Sequence, residues 1–129
     1  MDVIIGTPSR YSKSKMISRN PPDKLSKGSY FLILQLTHDK ELIAGSLIAE
    51  RYEDLYVIRQ VHVDENCRRI GCGQKMMEGI IEFLKPKKRD IILYVDPNNN
   101  IAISLYTKLG FKLIKKGSAF GDKYLLTQG

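Results

Sequence analysis

Arg68-Arg69-Ile70-Gly71-Cys72-Gly73 is the stretch that decides the fold, because it joins a strand to a helix through a basic turn with two glycines. The strand is predicted over Leu55–Val63. The helix is predicted from about Gly71, and one face of it carries the apolar residues Met77, Ile80, Ile81 and Leu84. Glycines let a backbone approach a phosphate closely, and the free N–H groups and dipole of a helix start attract an anion. The stretch therefore predicts a pyrophosphate-binding turn.

Two common nucleotide-binding patterns do not fit this turn. The dinucleotide fingerprint G-x-G-x-x-G fails because Met76 stands where its third glycine would be. The P-loop pattern, with Gly-Lys-Ser/Thr at its end, is absent from the sequence. The pattern present over Arg68–Gly73 is R-x-x-G-x-G. The turn is thus expected to hold the pyrophosphate of some other nucleotide.

A second motif lies downstream of this turn. Residues Asn99–Phe111 match N-x-x-A-x-x-L/F-Y-x-x-x-G-F, and the apolar run Ile91–Val95 before them is typical of a buried strand. Together with R-x-x-G-x-G, this motif resembles the signature of the GNAT N-acetyltransferase superfamily, in the order that this family uses. The resemblance covers the chain from about Leu55 to Phe111, close to half its length.

The whole chain of 129 residues is expected to form one domain, residues 1–129. Strands are predicted at 2–5, 29–37 and 42–52, with a short helix around Ser9–Ser18, and a hairpin is predicted over 111–127. The expected fold class is α/β (α+β). The resemblance implies a GNAT-like mixed, mostly antiparallel central sheet, flanked by helices and splayed between the fourth and fifth strands.

Composition limits the cellular setting that can be expected. No apolar run approaches the length of a membrane span, and the N-terminus lacks the pattern of a signal peptide. Cys67 and Cys72 are predicted to be free thiols in a reducing, cytoplasmic compartment, with Cys72 a small packing residue rather than a nucleophile. His38 and His62 are the only histidines that could join the two cysteines as ligands, so no metal site is expected.

Charge is unevenly distributed along this basic chain, whose formal net charge is +7. The cluster over residues 85–89 is interpreted as a solvated helix end, so a nucleic-acid partner is not expected. The segment Asp39–Glu65 has seven acids and three bases, which leaves it at −4 and the rest of the chain at +11. Its acids, with Glu53 and Asp54 as candidate substrate-binding residues, favour a cationic acceptor drawn in by electrostatic steering.

The resemblance implies acetyl-CoA as co-substrate, without a metal. The pyrophosphate would lie on the glycine turn, and the pantetheine arm would pair with the strand around Val61 like an extra strand. Asn99 is expected to cap the following helix, with Ala102 at its third position. Strand alternation points His62 away from Val61 and Val63. The candidate contacts are Val61, His62, Val63, Arg68, Arg69, Ile70, Gly71, Cys72, Gly73, Gln74, Asn99, Ala102 and Tyr106.

Tyr106 matches the tyrosine that serves as general acid in the family, and its alternative role is that of a core aromatic. Val57 and Arg59 occupy the positions where some members place a general base, and neither can act as one. Glu50 and Asp96, ahead of Glu53, are therefore the candidate bases, each acting through ordered water, with direct loss of the proton to solvent as the alternative. The implied mechanism is direct attack of an amine on the thioester in a ternary complex.

Three functions stay open from the sequence. The first is acetylation of a small cationic diamine or polyamine, which the acidic segment favours. The second is acetylation of protein lysines or N-termini, with a basic peptide as partner. The third is a non-catalytic module that binds CoA or nucleic acid, favoured by Arg59 and the +7 charge. A homodimer through the C-terminal strands is possible by resemblance.

Overall fold

The computed structural model describes residues 1–68 and 70–128. Its centre is a seven-stranded sheet in the order β1-β2-β3-β4-β5-β7-β6. The strands are β1 Asp2–Gly6, β2 Tyr30–Gln35, β3 Ile43–Tyr52, β4 Leu55–Val63, β5 Ile91–Val95, β6 Lys112–Ser118 and β7 Gly121–Leu126. The helices are α1 Cys72–Leu84 and α2 Asn100–Lys108. All neighbouring strands are antiparallel except β4 and β5. The predicted mixed, mostly antiparallel sheet flanked by helices is confirmed.

The sheet opens between its fourth and fifth strands. β4 and β5 pair in parallel only where Tyr56–Ile58 faces Ile91–Leu93. Beyond Ile58, β4 continues to Val63 without a strand partner on that side among the described residues. This confirms the predicted splay, and it leaves backbone N–H and C=O groups along β4 free to bind water or another chain.

A β-bulge at Gln60 changes which way the end of β4 faces. Opposite β3, Arg59 pairs with Ile48 and His62 pairs with Ser46, so β4 has one extra residue between these pairs. Gln60 has a φ of +57°, a left-handed conformation that is uncommon outside glycine. Because of the extra residue, Val61 and Val63 pack on the same core as Tyr56 and Ile58. Nothing in the sequence pattern of β4 indicates this bulge.

The two faces of the sheet are covered by different kinds of structure. One face packs against α1, whose Met76, Met77, Ile80 and Leu84 are fully buried because they lie on one side of the helix. The opposite face has a smaller core of Met16, Phe31, Ile33 and Ile48, against which Tyr11 and Leu25 pack.

The segment before β2 covers that second face as a loop. The helix predicted around Ser9–Ser18 is wrong, since the structure has two short 3₁₀ turns there, Pro8–Arg10 and Lys13–Lys15. Long-range hydrogen bonds hold the loop instead: the Tyr11 hydroxyl donates to the Pro22 carbonyl at 2.6 Å, and the Ile17 N–H donates to Ser46 Oγ at 3.1 Å. These tertiary contacts take the place of helical ones.

The start of β7 should tolerate no side chain. Gly121 has a φ of +110°, and a Cβ there would lie 2.6 Å from the backbone oxygen of Val95. Gly121→Ala should therefore lower the free energy of unfolding by at least about 2 kcal/mol, measured by thermal unfolding. Gly117→Ala is the matched control, because Gly117 also has a positive φ but no atom within 4 Å of its Cβ. Equal losses in both variants would contradict the proposed backbone clash.

Candidate active site

The glycine turn leads into the start of α1. Gly71 is the N-cap residue of this helix and has a φ of +81°, which favours glycine. A Cβ built on Gly71 meets no atom within 4 Å, so the position faces open space. Backbone N–H groups in the first turn of a helix have no partner within that helix. The turn therefore offers unpaired donors and the positive end of a helix dipole to an anion.

This turn forms one wall of a groove with a volume of about 490 Å³. The Arg68 side chain is held at the groove by its Nε, which donates to the Val63 carbonyl at 3.3 Å. The other N–H groups of a guanidinium can then bind a phosphate. The groove is lined by Val63, Cys67, Arg68, Gly71, Cys72, Gly73, Gln74, Ile101 and Leu105.

Cys72 is a packing residue rather than a reactive thiol. Its side chain is buried, and its sulfur lies 3.6 Å from that of Met1. Burial raises the pKa of the Cys72 thiol, with a smaller contribution from neighbouring Cys67. The thiol therefore stays protonated and uncharged at neutral pH.

A cleft of about 370 Å³ occupies the opening between β4 and β5. It adjoins the groove along both β4 and α2. On β4, Val61 lines the cleft and Val63 lines the groove. On α2, Ala102 lines the cleft and Leu105 lines the groove. The cleft is lined by Ile58, Arg59, Gln60, Val61, Leu93, Tyr94, Val95, Asp96, Asn99, Ala102, Tyr106 and Phe120. An extended ligand anchored at the glycine turn could follow β4 into this cleft.

Tyr106 lies in the cleft because of how α2 ends. The Phe111 N–H donates to the Tyr106 carbonyl and the Gly110 N–H to the Thr107 carbonyl, both at 3.0 Å. These bonds form a Schellman motif, which requires the left-handed φ of +102° at Gly110. The rings of Tyr106 and Phe111 pack edge to face with centroids 5.9 Å apart. The end of the helix thus fixes the position of the Tyr106 ring.

Burial also favours the neutral form of Tyr106. The side chain is 8% exposed, and burial raises the pKa of its hydroxyl above the ordinary value for tyrosine. The hydroxyl is therefore neutral over the whole physiological pH range. A neutral hydroxyl at a cleft can donate a proton or a hydrogen bond.

The start of α2 is also well defined. Asn99 Oδ1 accepts a hydrogen bond from the Ala102 N–H at 3.1 Å, which is the N-cap geometry expected from the sequence. Asp96, just before it, accepts from the Asn98 N–H at 2.8 Å through Oδ1. Both Asp96 and Asn99 line the cleft.

A third cavity, of about 220 Å³, lies beside the cleft on the other side of the β4 bulge. It shares Arg59 and Gln60 with the cleft. The Nε of Arg59 pairs with Glu50 Oε1 at 3.3 Å. We call this space the bulge cavity, and it is lined by Asn20, Pro22, Lys24, Leu25, Ser26, Ser29, Ile48, Glu50, Arg59 and Gln60.

Most residues predicted to contact acetyl-CoA line the groove or the cleft. The exceptions are His62, which is half-buried, Ile70, which is exposed, and Arg69, which lies outside the described residues. The two candidate bases are separated, since Asp96 lines the cleft and Glu50 lines the bulge cavity. Glu53 and Asp54 form the exposed turn between β3 and β4, at the end of β4 away from the groove.

Several lining residues were not anticipated from the sequence. Cys67, Ile101 and Leu105 line the groove, and Phe120 reaches the cleft from the β6–β7 turn. Ile101 and Leu105 lie within the downstream motif, at positions where that motif accepts several residues, so the motif could have suggested them. The loop that lines the bulge cavity carries no comparable signal, because its position depends on contacts with β2 and β3.

Within residues 1–68 and 70–128, no group of three His, Cys, Asp or Glu side chains is arranged to hold a metal ion. No helix of that part of the chain combines the length and the apolar character needed to cross a membrane.

Comparison with known proteins identifies the class. Residues 6–111 match the model of the acetyltransferase (GNAT) family. No curated protein matches the sequence. A GNAT-family acetyltransferase from Staphylococcus aureus Mu50 has a similar structure (TM-score 0.68, 20% identity), covering 79% of this chain and 69% of that one. The family match covers most of the chain, and the chain therefore belongs to the GNAT family of acetyltransferases.

Two further solved structures are similar. The ribosomal-protein-S18-alanine N-acetyltransferase of Escherichia coli superposes with a TM-score of 0.65 at 17% identity, covering 99% of this chain and 95% of that one. The PaiA N-acetyltransferase of Thermoplasma acidophilum, solved in complex with coenzyme A, has a TM-score of 0.62 at 14% identity. The match covers 78% of this chain and 60% of the PaiA chain. At these identities the two structures share the fold with this chain.

Proposed function

We propose that this protein transfers the acetyl group of acetyl-CoA to a primary amine. The observation that carries the proposal is the path from the glycine turn, along the unpaired edge of β4, to Tyr106 in the opening of the sheet. The pyrophosphate is proposed to bind the first turn of α1 and Arg68, and the pantetheine arm to pair with the backbone from Val61 to Val63. This arrangement would bring the thioester into the cleft.

The chemistry proposed is direct attack in a ternary complex. The amine nitrogen attacks the thioester carbonyl carbon, a C–N bond forms, the C–S bond breaks, and CoA leaves as a thiolate. Tyr106 is proposed to donate its proton to that thiolate as general acid. The amine loses a proton to Asp96 through ordered water or to solvent. Glu50 is the weaker candidate base, because it is paired with Arg59 and lines a different cavity from Tyr106.

The acceptor has two candidate classes. A small diamine or polyamine is supported by the acid excess of residues 39–65. A protein N-terminus is the second candidate, supported by the nearly full-length superposition on the ribosomal-protein-S18-alanine acetyltransferase. Free thiols at Cys67 and Cys72 support a cytoplasmic location. A homodimer would use β6, which is one of the two edge strands of the sheet and is exposed along most of its length.

The test is release of CoA thiol from acetyl-CoA, detected with a thiol-reactive dye. The acceptor panel holds putrescine, spermidine, lysine, an alanine-initiated peptide and a lysine-rich peptide. Release that depends on an amine acceptor supports the proposal, and the acceptor that gives the highest kcat/KM defines the class. If acetyl-CoA binds but no acceptor causes release, the protein is a CoA-binding module and the proposal fails.

A further inference from the structure

We propose that the acceptor carries a carboxylate close to its amine, and that Lys24 and Arg59 bind this carboxylate in the bulge cavity. The inference rests on the proposed amine acetylation and narrows it to one substrate class. It concerns a site that is separate from the acetyl-CoA groove and that no part of the family motifs describes.

The position of the bulge cavity makes it suitable for the acceptor. Arg59 and Gln60 line both this cavity and the cleft that contains Tyr106. A small molecule that occupies the cavity can therefore extend its amine past Gln60 toward the thioester. At about 220 Å³, the cavity has room for a small polar group and a short aliphatic chain.

The charges that line the bulge cavity favour an anion. Its ionisable residues are Lys24, Arg59 and Glu50. The contact between Arg59 and Glu50 uses Nε of the guanidinium, at 3.3 Å, so the remaining N–H donors of Arg59 are available. Lys24 is in no ion pair with any described residue. The cavity thus has one cation in excess, together with a guanidinium suited to binding a carboxylate.

The uncharged groups of the cavity are consistent with a polar acceptor. The hydroxyls of Ser26 and Ser29 lie 2.7 Å apart, and Ser29 Oγ also accepts the Arg51 N–H at 3.0 Å. The Gln60 side chain is exposed at the junction with the cleft. Its backbone is held in a left-handed conformation that glycine would adopt at lower cost, which is a kind of strain that concentrates at functional sites.

A polyamine finds few carboxylates here. Six of the seven acids in residues 39–65 are dispersed over three turns, at Asp39 and Glu41, Glu53 and Asp54, and Asp64 and Glu65. Within the described residues, these six side chains line neither the cleft nor the bulge cavity. Glu50 and Asp96 are the acids that do, and Glu50 is neutralised by Arg59.

The test uses acceptors that differ only in the carboxylate. Lysine is compared with cadaverine and ornithine with putrescine, because each second molecule lacks the carboxylate of the first. We expect the wild-type protein to prefer the amino acids by at least about tenfold in kcat/KM, as charge complementarity predicts. A peptide that begins Ala-Glu, compared with one that begins Ala-Gln, shows whether a polypeptide can supply the carboxylate.

Lys24→Glu should remove the preference for the amino acids. We expect this variant to lower kcat/KM for lysine by about tenfold or more, while kcat/KM for cadaverine rises or stays constant. The KM for acetyl-CoA should not change, since Lys24 does not line the groove. Lys27→Glu is the matched control, because Lys27 is exposed on the same loop but does not line the bulge cavity. This variant should prefer lysine over cadaverine to the same extent as the wild type.

Binding measurements separate failure of this inference from failure of the proposed function. Lysine and cadaverine are titrated by calorimetry into protein saturated with CoA, which needs no turnover. Tighter binding of lysine, weakened by Lys24→Glu, supports the inference even if no acceptor releases thiol. Equal binding of both, stronger binding of cadaverine or binding of neither overturns it, whatever the thiol assay shows.

Discussion

Tyr106→Phe should lower kcat by about a hundredfold or more, because a positioned general acid typically contributes a factor of that size. The affinity for acetyl-CoA should stay within about twofold of wild type, since the ring that packs on Phe111 is retained. Without the hydroxyl, the thiolate must leave unprotonated or wait for a proton from water. Steady-state kinetics at saturating acetyl-CoA, with calorimetric titration of CoA, provide both quantities.

The pH profile gives this prediction a second readout. A general acid must carry its proton, and burial raises the pKa of the Tyr106 hydroxyl. Loss of that proton can therefore reduce the wild-type kcat only at a pH above the ordinary tyrosine pKa. At neutral pH the hydroxyl is fully protonated, so the ratio of wild-type to variant kcat should be constant there and fall only in strongly alkaline solution.

Tyr124→Phe is the matched control for Tyr106→Phe. Tyr124 is a buried tyrosine on β7 in the same core, 6% exposed, and it does not line the cleft. Loss of its hydroxyl should leave kcat close to wild type. A kcat for Tyr106→Phe equal to that of Tyr124→Phe would remove Tyr106 from the chemistry and leave it as a core aromatic.

Gly71→Val should abolish most of the acetyl-CoA affinity while the protein stays folded. A Cβ at Gly71 projects into open space in the groove, where the pyrophosphate is proposed to bind. The branched side chain would occupy that volume and tilt the first turn of α1. We expect the Kd for CoA to rise by about a hundredfold or more, because a charge-assisted anion site is lost. Holding valine at the φ of +81° should also lower the free energy of unfolding by about 1–2 kcal/mol.

Gly73→Ala separates the effect of the ligand from that of a glycine substitution in general. A Cβ at Gly73 would lie 3.5 Å from Leu105 Cδ2, which is an ordinary contact, and alanine favours the helix. We therefore expect the stability of the protein to be unchanged or higher. The Kd for CoA should stay within about threefold of wild type, because the substitution adds only one van der Waals contact. Equal loss of affinity in both variants would contradict the assigned role of Gly71.

Local patterns in the sequence determined most of the elements that form the proposed acetyl-CoA site. The strand Leu55–Val63, the helix after Gly71, the strand Ile91–Val95 and the Asn99 cap are all present as predicted. These features depend on residues close together in the chain: apolar periodicity, a glycine that can adopt positive φ, and a side chain that caps the helix it precedes. The family resemblance then supplied the splay that the structure confirms.

Only the tertiary structure decided what surrounds the proposed acceptor site. Whether an extra residue is accommodated at Gln60 depends on the register between β3 and β4, which strict alternation in one strand cannot show. The helix predicted around Ser9–Ser18 is absent because that segment packs on a face of the sheet, through contacts that its own sequence does not contain. Glu50 and Asp96 were both candidate bases in the sequence, and folding placed them in different cavities. Each of these outcomes depends on contacts between segments that are distant in the chain, and local sequence patterns do not predict such contacts.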